Sequence, residues 1–273
     1  MTLHALNYTG SQLPRFAGKE TLGRLGSLEV RLAQSEADII AAQEIRHAVF
    51  HGGKGMAGER DADRFDAACD HLLVIDVAEG GRVVGTYRLL RQDRTLLSGG
   101  FYSQDEFDAA ALVARHPGRR FLELGRSCVH ADYRSRRTIE LLWQGIWAYS
   151  LRHGMDVLTG CASFSGTVPA AHAQALSFLH HHCRAEGDWA VKAVAGRHVS
   201  MDLMPAEAIN PRAAFAALPP LIKAYLRLGA KVGDGCVIDQ DFGTTDVMIV
   251  LPTEAMASRY VQYYGADASR FAA

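Results

Sequence analysis

Apolar and polar positions change their rhythm along this chain in a way that lays out alternating strands and helices. Leu28-Glu29-Val30-Arg31-Leu32 alternates with period two, as a half-buried strand does. Ser35-Glu36-Ala37-Asp38 then reads as a helix start, with Ser35 as N-cap and Asp38 three residues on. Ile39, Ala42, Ile45 and Val49, at helical spacing, carry that helix to about Phe50. Residues 51–70 are polar and glycine-rich, the composition of a substrate-side loop. His71–Val77 and Arg82–Arg91 are nearly continuous apolar runs, buried strands joined by Ala78-Glu79-Gly80-Gly81. A helical excursion over Ser103–Arg115 leads to another strand, Phe121–His130. Thr138–His153 predicts a helix with Ile139, Leu142, Ile146 and Leu151 inward and Gly154 as its stop. Val157–Phe164 is the next strand and Pro169–Cys183 the next helix.

Farther on come a helix from Pro211 to Leu228, strand-like Gly235–Asp239 and Asp246–Leu251, and a short amphipathic helix, Glu254–Tyr264. The order βαββ(α)βαβα predicts an α/β (α+β) fold, a mixed sheet flanked by helices. It suggests an N-terminal arm over 1–26, a core over 27–190 and a C-terminal extension over 191–273 packed on that core.

Charges interrupt the apolar runs in an ordered way: Glu44-Ile45-Arg46 followed by Phe50, then Asp63-Arg64-Phe65-Asp66, Arg88, and Glu123-Leu124-Gly125-Arg126. Charges at the ends or inside of buried strands are costly unless paired or used. Their order and spacing resemble the acyl-carrier-protein-dependent branch of the GNAT acyltransferases. That branch holds the acyl-homoserine-lactone synthases and the ornithine N-acyltransferases that begin ornithine-lipid synthesis. Leu218-Pro219-Pro220, Asp239, Phe242-Gly243-Thr244-Thr245-Asp246-Val247, Trp143 and Gly160-Cys161-Ala162-Ser163-Phe164 look like the ornithine N-acyltransferases in particular. The early tryptophan of the lactone synthases has no counterpart before Trp143, and the long C-terminal extension is absent from them.

The resemblance implies transfer of a 3-hydroxyacyl group from acyl carrier protein to the α-amine of ornithine, with no bound cofactor and no metal. Such a reaction needs a neutral attacking nitrogen, an oxyanion donor and an in-line thioester. Glu123, on an apolar strand where desolvation raises a carboxyl pKa, is the candidate base, with Arg126 its catalytic companion; a structural ion pair of Glu123 with a charge such as Arg88 is the alternative. Asp63 and Asp66 would bind the amino groups of a basic amino acid, or form a solvated acidic loop. Arg46 would bind its carboxylate or pin Asp63 or Asp66, and Phe50 and Arg88 complete the substrate set.

Between the fourth predicted strand and its helix lies Arg134-Ser135-Arg136-Arg137-Thr138, where GNAT enzymes present a helix N-terminus to a pyrophosphate. No glycine is present, and the arginines suit a phosphopantetheine phosphate carried by an acidic protein, or make a solvated basic turn. Cys161 lacks an activating neighbour and reads as packing. His180-His181-His182 point about 100° apart on a helix and read as unable to converge on one ion. Lys223, Arg227 and Lys231 would form one stripe on a helix, facing solvent, an anionic membrane or the carrier protein.

Composition narrows the reading. The chain has 273 residues with 48% hydrophobic side chains, ample for a large core, and a net charge of -1 gives no field to attract nucleic acid. Five scattered cysteines suggest free thiols in a reducing cytoplasm. No run reaches the roughly 20 apolar residues of a membrane span, so the expectation is a cytoplasmic protein, at most peripheral to the inner membrane.

Overall fold

In this computed structural model, which describes residues 21–52 and 58–256, nine strands hydrogen-bond into one mixed sheet. They are β1 (Thr21–Leu25), β2 (Leu28–Leu32), β3 (Asp70–Asp76), β4 (Arg82–Arg91), β5 (Phe121–Val129), β6 (Val157–Ser165), β7 (Lys231–Val232), β8 (Val237–Asp239) and β9 (Thr244–Pro252). The order is β1-β2-β3-β4-β5-β6-β9-β7, with β8 also against β9, and only β5–β6 is parallel. The helices are α1 (Glu36–Phe50), α2 (Thr95–Ser98), α3 (Ala109–Ala114), α4 (Arg136–His153), α5 (Ala173–His182), α6 (Pro211–Ala217) and α7 (Pro220–Leu228). This is a GNAT-like fold.

Strand alternation sends each run to two different cores. Leu72, Tyr87, Leu89, Leu122 and Leu124 face α4 and α7, together with Leu158 and Ile249. Leu90, Phe121, Val157, Met248 and Val250 face the other way, onto Phe65, Phe101, Phe107 and Leu112. α1 covers that second face nearer the sheet edge, with Ala42 against Leu73 and Ile75.

Several expectations are corrected. Residues Thr21–Leu25 form β1, paired antiparallel with β2, rather than part of a loose arm. The inward stripe of α4 runs through Thr138, Leu141, Leu142, Gly145, Ile146 and Tyr149, leaving Ile139 43% and Leu151 59% exposed. Gly145 selects that face: a Cβ there would lie 2.7 Å from Val30 and 2.9 Å from Leu72, so the helix seats closely on the sheet at this point. The expected helix 211–228 is two, because Leu218 precedes Pro219 and takes an extended backbone. α7 stops at Leu228, which places Lys231 in β7, off the stripe of Lys223 and Arg227. Thr253–Ala255 is a single 3₁₀ turn, and the rest of the expected terminal helix lies outside the described residues. β9 runs along the whole of β6, from Val157↔Pro252 to Ser165↔Thr244, so the C-terminal segment is part of the sheet itself.

β5 and β6 pair only through Phe121↔Val157, Leu122↔Leu158 and Glu123↔Thr159, and then part. Gly160 marks the divergence: its φ is +145° and a Cβ would lie 2.3 Å from the Leu124 carbonyl oxygen. β5 is bulged at the same level. Against β4 its register passes from Cys128↔Thr86 to Gly125↔Arg88, and Arg126 in the extra length has a φ of 50°. A bulge of this kind bends the strand and re-aims its groups.

Candidate active site

The divergence opens a cavity of about 400 Å³, lined by Glu123–Ser127 of β5, Cys161–Ser163 of β6, Phe50 of α1, Tyr102, and Asp239, Phe242 and Asp246 of the C-terminal segment. Because Phe121 and Glu123 share a face, and β9 sets Met248 opposite Cys161 and Asp246 opposite Ser163, Glu123, Cys161 and Asp246 project to the same side of the sheet.

Glu123 is 3% exposed. Its Oε2 accepts from the Tyr102 N–H at 2.7 Å, and its Oε1 from the Ser103 N–H at 2.8 Å and the Ser103 hydroxyl at 2.5 Å. None of these donors is cationic, so Glu123 is held by the 101–103 turn rather than by an ion pair. Burial lifts its carboxyl above the usual range, against the pull of Ser103 and Tyr102. Three donors leave about one of its four acceptor positions free.

The acidic loop and the arginines form a separate network. Arg46, 1% exposed, meets Asp61 at 3.0 Å and Asp66 at 2.9 Å. Arg88 meets Asp63 at 2.6 Å and Asp66 at 3.2 Å. Arg126 reaches Asp61 at 3.1 Å and Asp63 at 3.3 Å, its guanidinium 4.7 Å from the Tyr102 ring centroid and 4.5 Å from that of Phe242. Burial would lift the Asp66 carboxyl, but Arg46, Arg88 and His71, with the Gln43 amide, hold it below the usual range. Three guanidiniums thus balance three carboxylates. Asp63 and Asp66 are engaged by arginines, neither of them lining the cavity, and of the two functions suggested for Arg46 the geometry has it pinning Asp66. Arg126 and Phe50 line the cavity, Phe50 edge-on to Phe242 at 5.7 Å. Asp70 stands apart, bonded to Arg94 at 2.9 Å and Tyr149 at 2.5 Å.

Asp239 and Asp246 line the cavity and carry acid that the arginine network does not neutralise. Their carboxylate oxygens and those of Glu106, which is not itself on the lining, lie within 4.8 Å of one another, all three residues buried. Cys161 Sγ donates to Glu106 at 3.3 Å, and Arg197 approaches Glu106 at 3.4 Å. Burial, with repulsion from Asp246 and Asp239, pushes the Glu106 carboxyl up to about 7, opposed by Cys161 and Arg197. Burial likewise raises Asp246. Burial and the Glu106, Asp246 and Glu123 carboxylates together keep the Cys161 thiol protonated, so it is no nucleophile.

At the start of α4, Ser135 caps the helix and Thr138 is buried with its hydroxyl on the Tyr133 carbonyl at 2.6 Å. Arg134, Arg136 and Arg137 are exposed around that N-terminus, Arg136 pairing with Glu140 at 2.7 Å. An apolar groove of about 310 Å³ leads from Arg134 past Cys128, Leu142, Trp143 and Pro220, and shares Val49, Ser127 and Leu221 with the main cavity. In the histidine run, ligand atoms of His180 and His181 come within 4.8 Å of each other and of Asp202, closer than their angular spacing suggests, while His182 tilts against Phe178.

A family profile described as Acetyltransferase (GNAT) domain matches residues 45–144. An L-ornithine N(alpha)-acyltransferase of Brucella abortus (strain 2308) is 59% identical over 261 residues, 92% of this chain and 93% of that protein. Another, of Rhizobium meliloti (strain 1021), is 57% identical over 263 residues, 92% of this chain and 89% of that one. The chain belongs to the L-ornithine N(alpha)-acyltransferase family. It is therefore an acyltransferase, and the segment that the GNAT profile matches carries Glu123 and the whole of β5. Among solved structures, an N-acyl amino acid synthase from uncultured soil microbes is similar with a TM-score of 0.49 at 12% identity, over 83% of this chain and 91% of that one.

Sequence reasoning passed over Asp61, Tyr102, Ser103 and Glu106. Glu106 sits in Ser103-Gln104-Asp105-Glu106-Phe107-Asp108, which looks like a solvated turn; only Phe107, fully buried, hints that the turn is folded inward. Asp61 shares the short alternation Asp61-Ala62-Asp63 with a residue that was named.

Proposed function

We propose that this acyltransferase moves a 3-hydroxyacyl group from the phosphopantetheine thioester of acyl carrier protein to the α-amino nitrogen of ornithine. The observation that carries the reading is Glu123, buried on the cavity wall at the point where β5 and β6 part. The thioester arm lies in that gap, and the acceptor approaches from the side of Tyr102 and Phe242. Glu123 takes the proton of the α-ammonium, directly or through water. The freed nitrogen attacks the thioester carbonyl, the C–S bond breaks, and the pantetheine sulfur leaves as a thiol after taking up a proton. A backbone N–H of the β5 bulge donates to the oxyanion. Arg126, stacked between two aromatic rings and facing the cavity, takes the amino acid's carboxylate in addition to Asp61 and Asp63.

The donor side has two supports. Arg134, Arg136 and Arg137 crowd a helix N-terminus that suits a phosphate and an acidic carrier protein. The apolar groove beside them accommodates an acyl chain or the pantetheine arm. The product is a lyso-ornithine lipid, made in the cytoplasm and released to the inner face of the membrane. Among the described residues no helix is long and apolar enough to cross a membrane.

The test incubates purified full-length protein with 3-hydroxyacyl carrier protein and ornithine, lysine, glutamine or S-adenosylmethionine, with acyl-CoA as donor control, read by mass spectrometry. N-acylated ornithine made from the carrier-bound donor supports the reading, and lactone from S-adenosylmethionine overturns it. Glu123→Gln should lower kcat by about 10²–10⁴-fold, the usual worth of a positioned base, with ornithine binding retained.

A further inference from the structure

We propose that Glu106, Asp239 and Asp246 form the subsite for the side-chain ammonium of the acceptor, and so select a diamino acid over an apolar one. The inference rests on the acyl-transfer reading above and names the part of the acceptor it leaves open.

Charge balance comes first. In the network that reaches the cavity through Arg126, Arg46, Arg88 and Arg126 are matched by Asp61, Asp63 and Asp66. Outside that network, three buried carboxylates converge, and the guanidinium that reaches them is Arg197, 38% exposed and 3.4 Å from Glu106. Arg197 also spends its donors on the Asp105 and Ile238 carbonyls, each at 3.3 Å. Buried carboxylates in excess of their cations demand either a proton or a bound cation.

An unfilled acceptor supplies the second observation. Asp246, 6% exposed, lines the cavity with a buried Oδ1 that no donor among the described residues meets at full hydrogen-bonding distance and angle. The Ser163 and Thr244 hydroxyls flank its carboxylate and pull its carboxyl down, against the larger effect of burial. Asp239, by contrast, uses Oδ1 to accept from the Asp241 N–H at 2.8 Å and the Phe242 N–H at 3.0 Å, which fixes its orientation toward the same point. An alkylammonium has three donors and no acceptor, a match to three converging carboxylates. Cys161 adjoins the cluster, its thiol 3.3 Å from Glu106, and lines the same cavity as Asp246 and Glu123. One short extended molecule therefore has its α-nitrogen at Glu123, its carboxylate at Arg126 and its distal ammonium at Asp246.

Geometry also sets the acceptor class. Glu106 is in the turn after Tyr102–Asp105, and Asp239 and Asp246 are on β8 and β9, so the subsite has rigid walls on both sides. A site built around a charged group rejects an analogue lacking it far more strongly than it distinguishes one methylene.

The experiment compares ornithine with norvaline, which has the same carbon chain without the distal amine, in the wild type and in Asp246→Asn and Glu106→Gln. Steady-state kinetics are read with the carrier-bound donor, and binding of each amino acid alone is read by calorimetry. Wild type should favour ornithine by about 10³-fold in kcat/KM, and Asp246→Asn should bring that ratio below about 10-fold, mainly through KM. Calorimetry without donor should show ornithine binding to the wild type, none of norvaline, and weakening of ornithine by about 100-fold in Asp246→Asn. A wild type that acylates norvaline as well as ornithine overturns the subsite, as does a variant that keeps the ratio. A divalent cation that binds the wild type at this cluster and excludes ornithine overturns it too. Selective ornithine binding without any acyl transfer leaves the subsite standing and removes the transfer reading, so the two fail separately.

Discussion

Arg46→Met removes the innermost guanidinium of the three-by-three network while keeping most of the apolar stem. Arg46 is 1% exposed and serves two carboxylates, Asp61 at 3.0 Å and Asp66 at 2.9 Å, besides donating to the Asp61 carbonyl. Asp66 would retain Arg88 at 3.2 Å and the Gln43 amide at 2.9 Å, and Asp61 would retain Arg126 at 3.1 Å. Taking one member from a buried charge set costs about 3–5 kcal/mol, because what remains is an uncompensated charge out of water. The retained partners argue for the lower half of that range. The assay is urea unfolding at pH 7 and again near pH 2. Asp66 is held below its usual pKa in the folded wild type, so it contributes stability that is present above the unfolded carboxylate pKa and lost as pH falls through its folded value. The variant lacks most of that contribution, so the gap between the two proteins should narrow on going from pH 7 to about pH 2. A loss under about 1 kcal/mol at pH 7, or a gap of equal size at both pH values, would refute the charge argument and leave packing as the cause.

Glu106, facing Cys161, Asp239, Asp246 and Arg197, has its carboxyl raised to about 7. Its contribution to stability is full below the unfolded carboxylate pKa and is lost as pH rises through 7; Glu106→Gln should be more stable than wild type at pH 8 by roughly 3 kcal/mol, and parallel pH–stability curves between pH 6 and 8.5 would contradict this. By the same group, ornithine should bind more tightly as pH rises through 7, with protons released on binding, measurable by calorimetry in buffers of different ionisation enthalpy. Gly160→Ala places a Cβ 2.3 Å from the Leu124 carbonyl oxygen, on the backbone that opens the cleft, and should cost about 2–4 kcal/mol in denaturant unfolding. Ser103→Ala deletes a hydroxyl donor to Glu123, lifting its carboxyl further, so the acid limb of the kcat/KM profile should move to higher pH by up to about one unit; an unmoved limb would mean that Glu123 is not the base.

Much of the core was legible because strand and helix periods are written in the apolar residues. β3, β4, β5 and β6 all carry long runs of Leu, Val and Phe, and their bounds in the fold lie within a residue or two of the runs. What the pattern did not carry was orientation. Ile139 and Leu151 look inward by spacing, yet a glycine on the neighbouring stripe lets α4 sit down on Val30 and Leu72 instead. Pairing was legible only in part: Arg46 pinning Asp63 or Asp66 was one of two readings, while the folded loop alone brings Arg88 and Arg126 from two further elements to meet the same carboxylates. Glu106 was hidden for a related reason, since a polar turn shows no sign of being buried until the sheet beneath it is assembled. Asp239 and Asp246 stood out through their resemblance to the ornithine N-acyltransferases, and their common focus became visible once β8 and β9 were placed.

The long ladder of β9 on β6 gives the enzyme a division of labour between chain segments. On the proposed reading, proton acceptance and thioester geometry belong to β5, at the middle of the chain, whereas Asp239 and Asp246 reach the same cavity from a late hairpin that also covers the free edge of β6. With the acceptor subsite proposed above, a change in that hairpin would act on acceptor choice from a segment separate in sequence from Glu123 and Gly160, though Phe242 within it also packs on Arg126 and Phe50. Exchanging residues 237–246 between relatives then becomes a route to new N-acyl amino acids on an unchanged β5.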